Sequence, residues 1–366
     1  LKLREINLID QTAMPYKTAL GHTYDSGNFK KNLHDCATIS NYESFQERKN
    51  ISFKKNKYRG IGISTYIEAC GGGGPEYCSL KIGGNGNIEV KIGTQSNGQG
   101  HATSYAQIVS DVLEVDINQI NIIQGNSLEI PKGSGTGGSR SMPVGGNALY
   151  IASKKFLENT KVSLAKYLKI NSDVIEYKNG FFKFEEKNFS LSDLTQLFEA
   201  DKILKTDADW TPNPGTYTYP NGVHICELEV DKYTGMIKIL NYTVVDDFGK
   251  VINPLLLEGQ VHGGIAQGIG QALFEETIYD DETGQLLSGS FMDYAIPRAS
   301  DIPFIKFNYN EILCTTNPLG IKGAGEAGAI GAPPAVINAV CNALDIDHID
   351  MPAKPEKVWS LLSLKN

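Results

Sequence analysis

The chain has 366 residues, with 42 acidic against 34 basic side chains and a formal net charge of −8. No basic stripe offsets that charge, which argues against a nucleic-acid footprint; the densest basic stretch, Arg48 to Arg59, reads as a solvated surface loop. No uninterrupted run of about 18 apolar residues occurs, which argues against a membrane-spanning helix.

In chain order, Ile61–Ile67 alternates and is rich in β-formers, and Leu80–Ile82 and Ile88–Ile92 follow as further predicted strands. Apolar residues at helical spacing predict a helix over Thr103–Val115, with Thr103 as its N-cap. A strand is predicted at Ile120–Ile123, then a long amphipathic helix at Ala148–Leu168 with a break near Asn159 and Thr160. The polar segment 201–220, with Pro212, Pro214 and Pro220, is the expected boundary between two lobes. Beyond it, Val223–Val230 and Met236–Val245 flank Asp231–Gly235, a hairpin signal. Helices are predicted at Gly259–Phe274 and at Pro334–Leu344, the latter with proline in its first turn. Strands and helices mix without strict βαβ alternation, so the expected fold class is α+β in two lobes, 1–210 and 211–366.

The six cysteines, Cys36, Cys70, Cys78, Cys226, Cys314 and Cys341, include no C-x-x-C pair. They read as free thiols in a reducing, cytoplasmic setting rather than as ligands of zinc or an iron–sulfur cluster. The N-terminal LKLREINLID has no signal-peptide core and does not begin with Met, so a fragment, a processed chain or a split subunit is expected.

Glycine falls in clusters at 71–74, 93–100, 133–138, 263–270 and 320–331. Such clusters are expected where backbone approaches something closely. Two stretches match G-x-G-x-x-G, Gly133 to Gly138 and Gly323 to Gly328, but neither has the strand–helix context and following acidic residue of a dinucleotide fingerprint. Read together, the loops suit a large, polar, phosphate-bearing organic cofactor. Gly98, Gln99 and Gly100 lead into a helix start; Ser139, Arg140 and Ser141 add hydroxyls and a guanidinium; Gln267 and Gly268 lie on a glycine-lined helix. Taken singly, each glutamine also fits a solvated surface role and Arg140 a surface ion pair.

Glu326 stands in Lys322-Gly-Ala-Gly-Glu-Ala-Gly, a frame of small apolar residues. Desolvation there would raise its pKa towards that of a general base. A capping carboxylate or an ion pair with Lys322 fits the same residues equally well. His101 and His262 lack a second ligand at metal-binding spacing, so direct metal ligation by protein side chains is not expected.

Four stretches, GTQSNGQGHATSYAQI (93–108), GSGTGGSRSMPVGGNAL (133–149), VHGGIAQGIGQALFEE (261–276) and NPLGIKGAGEAGAIGAPPAVINAV (317–340), resemble the molybdopterin-binding large subunits of the xanthine dehydrogenase, aldehyde oxidase and carbon monoxide dehydrogenase superfamily. RGIGISTYIEACGGGGPEY (59–77) and YDSGNF (24–29) fit as well, so the resemblance runs over essentially the whole chain. It implies that Gly98, Gln99, Gly100, His101 and Thr103 belong to the cofactor loop. It also implies that Ser139, Arg140 and Ser141 contact pterin or phosphate, that Gln267 with Gly268 contacts pterin, and that Lys322, Gly323 and Gly325 bind the cofactor beside the catalytic Glu326. The implied reaction is a hydroxylation in which Glu326 is the base and water supplies the oxygen. The implied cofactor is molybdenum–molybdopterin in its cytosine dinucleotide form, with [2Fe-2S] and FAD on partner subunits.

The resemblance covers the C-terminal portion of such a subunit. The preceding half, with its Gly-Gly-Phe-Gly loop and substrate-gating residues, has no counterpart in this sequence and is expected on a partner chain. Two other functions stay in view: a non-catalytic cofactor carrier, disfavoured by Glu326, and a nucleotide-dependent dehydrogenase, disfavoured by the missing βαβ context.

Overall fold

In the computed structural model, residues 1–72, 74–83, 85–198, 205–210 and 216–364 are described. Two four-stranded mixed sheets organise them. The first runs Lys205–Trp210, Glu76–Ile82, Ile88–Ile92, Ile120–Ile123, with two antiparallel pairings and then a parallel one. The second runs Ile305–Asn310, Ile237–Asp247, Asn221–Asp231, Lys57–Ile67, parallel at the first pairing and antiparallel after it. The expected α+β class stands.

Alternation sets the first sheet: Ile88, Val90 and Ile92 point to one face and are fully buried, while Glu89 and Lys91 are not. Helices His101–Leu113 and Asn147–Leu168 bury their apolar faces with that sheet in one core. The second sheet has cover on both faces. Helix Ala327–Leu344 lies against Lys57–Ile67 and Asn221–Asp231, backed in turn by helix Pro254–Leu273. Helix Phe29–Ile39 covers the opposite face, with Leu33 and Cys36 against Val223, Ile225 and Val245.

Glycine explains how closely these layers approach. A Cβ on Gly60 would stand 1.9 Å from the carbonyl oxygen of Ala339, and one on Gly62 would stand 2.1 Å from that of Ala335. The strand therefore seats directly on the helix backbone. A Cβ on Gly268 would meet Ala332 Cβ at 2.7 Å, and one on Gly328 the Val261 carbonyl at 2.4 Å. Much of the glycine at 259–270 and 320–331 thus serves helix packing.

Several boundaries differ from the sequence expectations. The 101–113 helix takes Gly100 as its N-cap, and Thr103 is an exposed residue of its first turn. The 147–168 helix runs unbroken through Asn159 and Thr160, where the Thr160 hydroxyl donates to the Phe156 carbonyl. The Gly-rich helix begins at Pro254, capped by the Asn253 side chain, five residues ahead of Gly259. The last long helix begins at Ala327 and carries Pro333 and Pro334 inside it. Burial on two sides there overrides a local preference against proline. This helix is long and apolar enough to cross a membrane by composition, but its residues are mostly buried between the second sheet and its neighbour helix.

The basic stretch is not a solvated loop. Residues Phe45–Phe53 form a helix, and Arg48 and Arg59 both pair with Glu227, which is 2% exposed. Burial opposes ionisation of Glu227, yet the two guanidinium groups hold its pKa below the usual value. One strand departs from the expected lobe limits: Lys57–Ile67 belongs with the second sheet, whereas Lys205–Trp210 closes the first, inside 1–210. Much of 201–220 lies outside the described residues.

Candidate functional site

Where the two packed units meet, a cleft of about 330 Å³ opens between four chain segments. The 98–101 turn contributes Gln99 and His101, and the helix after it contributes Ser104. The second glycine loop contributes Thr136, Gly137, Gly138, Ser139 and Ser141. Residues Phe248 to Asn253, then Leu256, Leu257 and Gln260, form the third wall, and Ile321 to Glu326 form the fourth.

The first loops cross through glycine. A Cβ on Gly93 would stand 2.5 Å from the Cα of Gly133, so each glycine admits the other loop. Gly98, Gly135, Gly137 and Gly138 differ from them, because nothing in the protein lies within 4 Å of where their Cβ would be. Gly98 (φ +104°) and Gly138 (φ +57°) also need the left-handed region. Of these glycines, Gly137 and Gly138 line the cleft, where their backbone is uncovered.

Gln99 accepts hydrogen bonds through Oε1 from the Asn97 backbone and, at 3.3 Å, from the Ser96 hydroxyl. His101 is 5% exposed, and its Nδ1 is buried without a hydrogen-bond partner. Burial lowers its pKa to about 4, against a hydrogen bond to the Gln95 backbone that raises it, so near neutral pH the ring is uncharged. The Ser141 and Thr136 hydroxyls bond each other at 2.9 Å, and Thr136 also donates to the Gln95 carbonyl. This joins the two glycine loops.

Glu326 is the N-cap residue of the 327–344 helix, but its side chain makes no capping bond. The expected desolvation is not found: the residue is exposed at the cleft. The frame of small residues that suggested burial instead leaves the carboxylate uncovered. Its Oε2 accepts from the Ser139 hydroxyl at 2.7 Å. Lys322 does not pair with it. The Lys322 ammonium is buried and engages Asp247 Oδ2 at 2.6 Å and the Ser26 carbonyl at 3.3 Å.

Gln99, His101, Ser139, Ser141, Lys322, Gly325 and Glu326 therefore share one cleft, with Gly98 and Gly100 at its entrance turn. Thr103, Arg140, Gln267, Gly268 and Gly323 fall outside its lining. Arg140 is 6% exposed and turns inward to the fully buried Glu76, donating as well to the Gly135 carbonyl at 2.9 Å. Gln267 is exposed on its helix, and Gly323 packs on Cys70.

Sequence reasoning missed Gln260, which reaches the cleft from the same helix as Gln267 but seven residues earlier. It also missed Lys250 and Asn253. Asn253 was legible as a helix cap: its Oδ1 accepts from the Leu256 amide at 3.0 Å, and its Nδ2 donates to Gln107 Oε1 at 2.9 Å. Gln260 carried no such signal. A carboxylate neighbour was missed too: Glu68, half-buried behind Glu326. Burial first, and the Glu326 carboxyl next, push its pKa up to about 7, while Cys70 and Ser139 pull it down.

A family model described as a molybdopterin cofactor-binding domain matches residues 35–303. The carbon monoxide dehydrogenase large chain of Afipia carboxidovorans is 32% identical over 98% of this chain and 48% of its own length. The nicotine 6-hydroxylase large subunit of Paenarthrobacter nicotinovorans is 30% identical over 98% of this chain and 46% of its own. The crystal structure of quinoline 2-oxidoreductase from Pseudomonas putida superposes with a TM-score of 0.90 at 30% identity, covering 99% of this chain and 49% of that one. The chain thus spans about half the length of the curated relatives it matches. Sequence and fold agree on one conclusion: this chain belongs to the molybdopterin cofactor-binding domain family.

Proposed function

We propose that the chain is the cofactor-binding part of a molybdenum hydroxylase, acting on an aldehyde, an N-heterocycle or a similar small molecule with water as the oxygen source. The observation that carries this is the shared cleft: a carboxylate, an uncharged histidine with an orphaned nitrogen, amide side chains and ligand-facing glycines converge there. These groups fit molybdopterin. A pterin edge offers alternating donors and acceptors, which Gln99, Gln260 and His101 Nδ1 can match. When bound, the cofactor supplies the redox chemistry and activates the oxygen that is transferred.

The protein's own residues do the rest. Glu326 is held through Oε2 by Ser139, and a carboxylate has further lone pairs to take a proton from the cleft. The Gly137–Gly138 backbone and Ser141 orient the ligand. Lys250, exposed, lines the same cleft as His101 and Leu256 from the first turns of the 101–113 and 254–273 helices. That is the better candidate for phosphates than Arg140, because its charge is not spent on a buried carboxylate. We assign the cytosine dinucleotide form on the strength of the resemblance.

A partner chain would supply the remaining half of the large subunit, and further partners in the same reducing, cytoplasmic compartment would carry [2Fe-2S] and FAD. Half the length of the matched relatives has no counterpart here, and Phe291, Met292 and Phe304 are each more than 80% exposed, as an uncovered docking face would leave them. A pure cofactor carrier is disfavoured because Glu326 lines the cleft. Metal and nucleotide analysis of the protein purified with its partners tests the proposal. Molybdenum and CMP near one per chain are expected, and the absence of both would leave a carrier or an orphaned fragment.

A further inference from the structure

We propose that Ser139 is a positioning residue for Glu326, held in a left-handed backbone conformation so that its hydroxyl meets the base. This rests on reading Glu326 as the base. Among the described residues, eight that are not glycine have φ in the left-handed region. Glu114, Lys169 and Asp345 end helices there, Glu185 turns a hairpin, and three are asparagines, which tolerate the region. Ser139, at φ 51°, is the one that lines the cleft. It follows Gly137 and Gly138, and a third glycine would meet the same backbone demand without steric cost. The position instead carries a hydroxyl, which donates to Glu326 Oε2 at 2.7 Å.

The loop ahead of Glu326 is shaped around this contact. A Cβ on Gly323 would stand 2.8 Å from the Ser139 carbonyl oxygen. One on Gly325 would stand 3.3 Å from the Ser139 hydroxyl oxygen and 3.9 Å from its Cα. The two glycines thus leave room for Ser139. Glu326 needs such a partner, because it is exposed, makes no capping bond to its own helix, and has a long side chain with many rotamers. A bond to Oε2 orients the carboxylate and leaves Oε1 for the proton it accepts. Backbone strain held at one residue to orient another is an arrangement that functional sites show.

Two variants test this: Ser139→Gly, which removes the hydroxyl and the strain together, and Ser139→Ala, which removes the hydroxyl alone. In the enzyme assembled with its partners, both should lower kcat by roughly tenfold, the worth of an orienting bond to a charged group, with KM and molybdenum content unchanged. In the full chain without cofactor, Ser139→Gly should melt at or above the wild-type temperature, and Ser139→Ala below Ser139→Gly. A melting temperature for Ser139→Gly below wild type would mark a merely structural serine, and a loss of molybdenum in both variants would mark a cofactor ligand. Either result, or an undiminished kcat in both variants, would overturn the proposal. Glu326→Gln, assayed alongside, separates this from the reading beneath it. Loss of turnover there, with none in the Ser139 variants, leaves Glu326 as base and removes only the positioning role; undiminished turnover there overturns both.

Discussion

In the enzyme assembled with its partners, Glu326→Gln should lower kcat/KM by about 10²–10⁴-fold, the contribution of a positioned general base. Molybdenum content should stay unchanged. Gln matches Glu in shape, and its side-chain oxygen can still accept from the Ser139 hydroxyl, so the cleft keeps its form while the site loses its proton acceptor. Steady-state kinetics beside metal analysis separate the two outcomes. A variant with full molybdenum and undiminished turnover would remove Glu326 from the chemistry.

Arg140→Ala should destabilise the chain by about 3–5 kcal/mol, because it leaves Glu76 buried and unpaired. Glu76 is fully buried, and the guanidinium also donates to the carbonyl of Gly135 and, more weakly, to those of Gly74 and Pro75. Arg140 thereby ties the second glycine loop to the start of strand Glu76–Ile82. Urea denaturation of the cofactor-free chain measures the effect. The variant Arg140→Met with Glu76→Gln should recover part of the loss, since it removes both charges together. A change below about 1 kcal/mol, within the range of exposed pairs, would instead return Arg140 to the phosphate-binding role read from sequence.

That reversal shows what the sequence carried and what it did not. The strands at 88–92 and 120–123 and the hairpin around Asp231 were legible, because alternation and turn chemistry are local signals. The motif at 98–101 and the carboxylate at 326 were legible as chemistry. The direction of each side chain was not. Arg140 stands in a loop of glycine and serine that reads as ligand-facing, and only the three-dimensional crossing of Gly93 and Gly133 brings Glu76 beneath it. Gln267 and Gln260 share one helix, and the glycines around Gln267 drew the functional reading. Those glycines turn out to seat one helix on another, as Gly268 does against Ala332.

Long-range pairing was equally hidden. Nothing local says that Lys57–Ile67 joins a sheet with a strand more than 150 residues on, or that Ile305–Asn310 lies parallel to Ile237–Asp247. Glu68 was passed over for the same reason. Cys70, two residues further on, meets Gly323 and Ser139 only in the folded chain.

Locating molybdenum in the assembled complex, by anomalous scattering at its absorption edge, tests the cleft itself. The expected result is a single peak within the walls formed by Gln99, Ser141, Gln260 and Glu326. A molybdenum peak anywhere outside those walls would contradict the assignment of this cleft as the cofactor site.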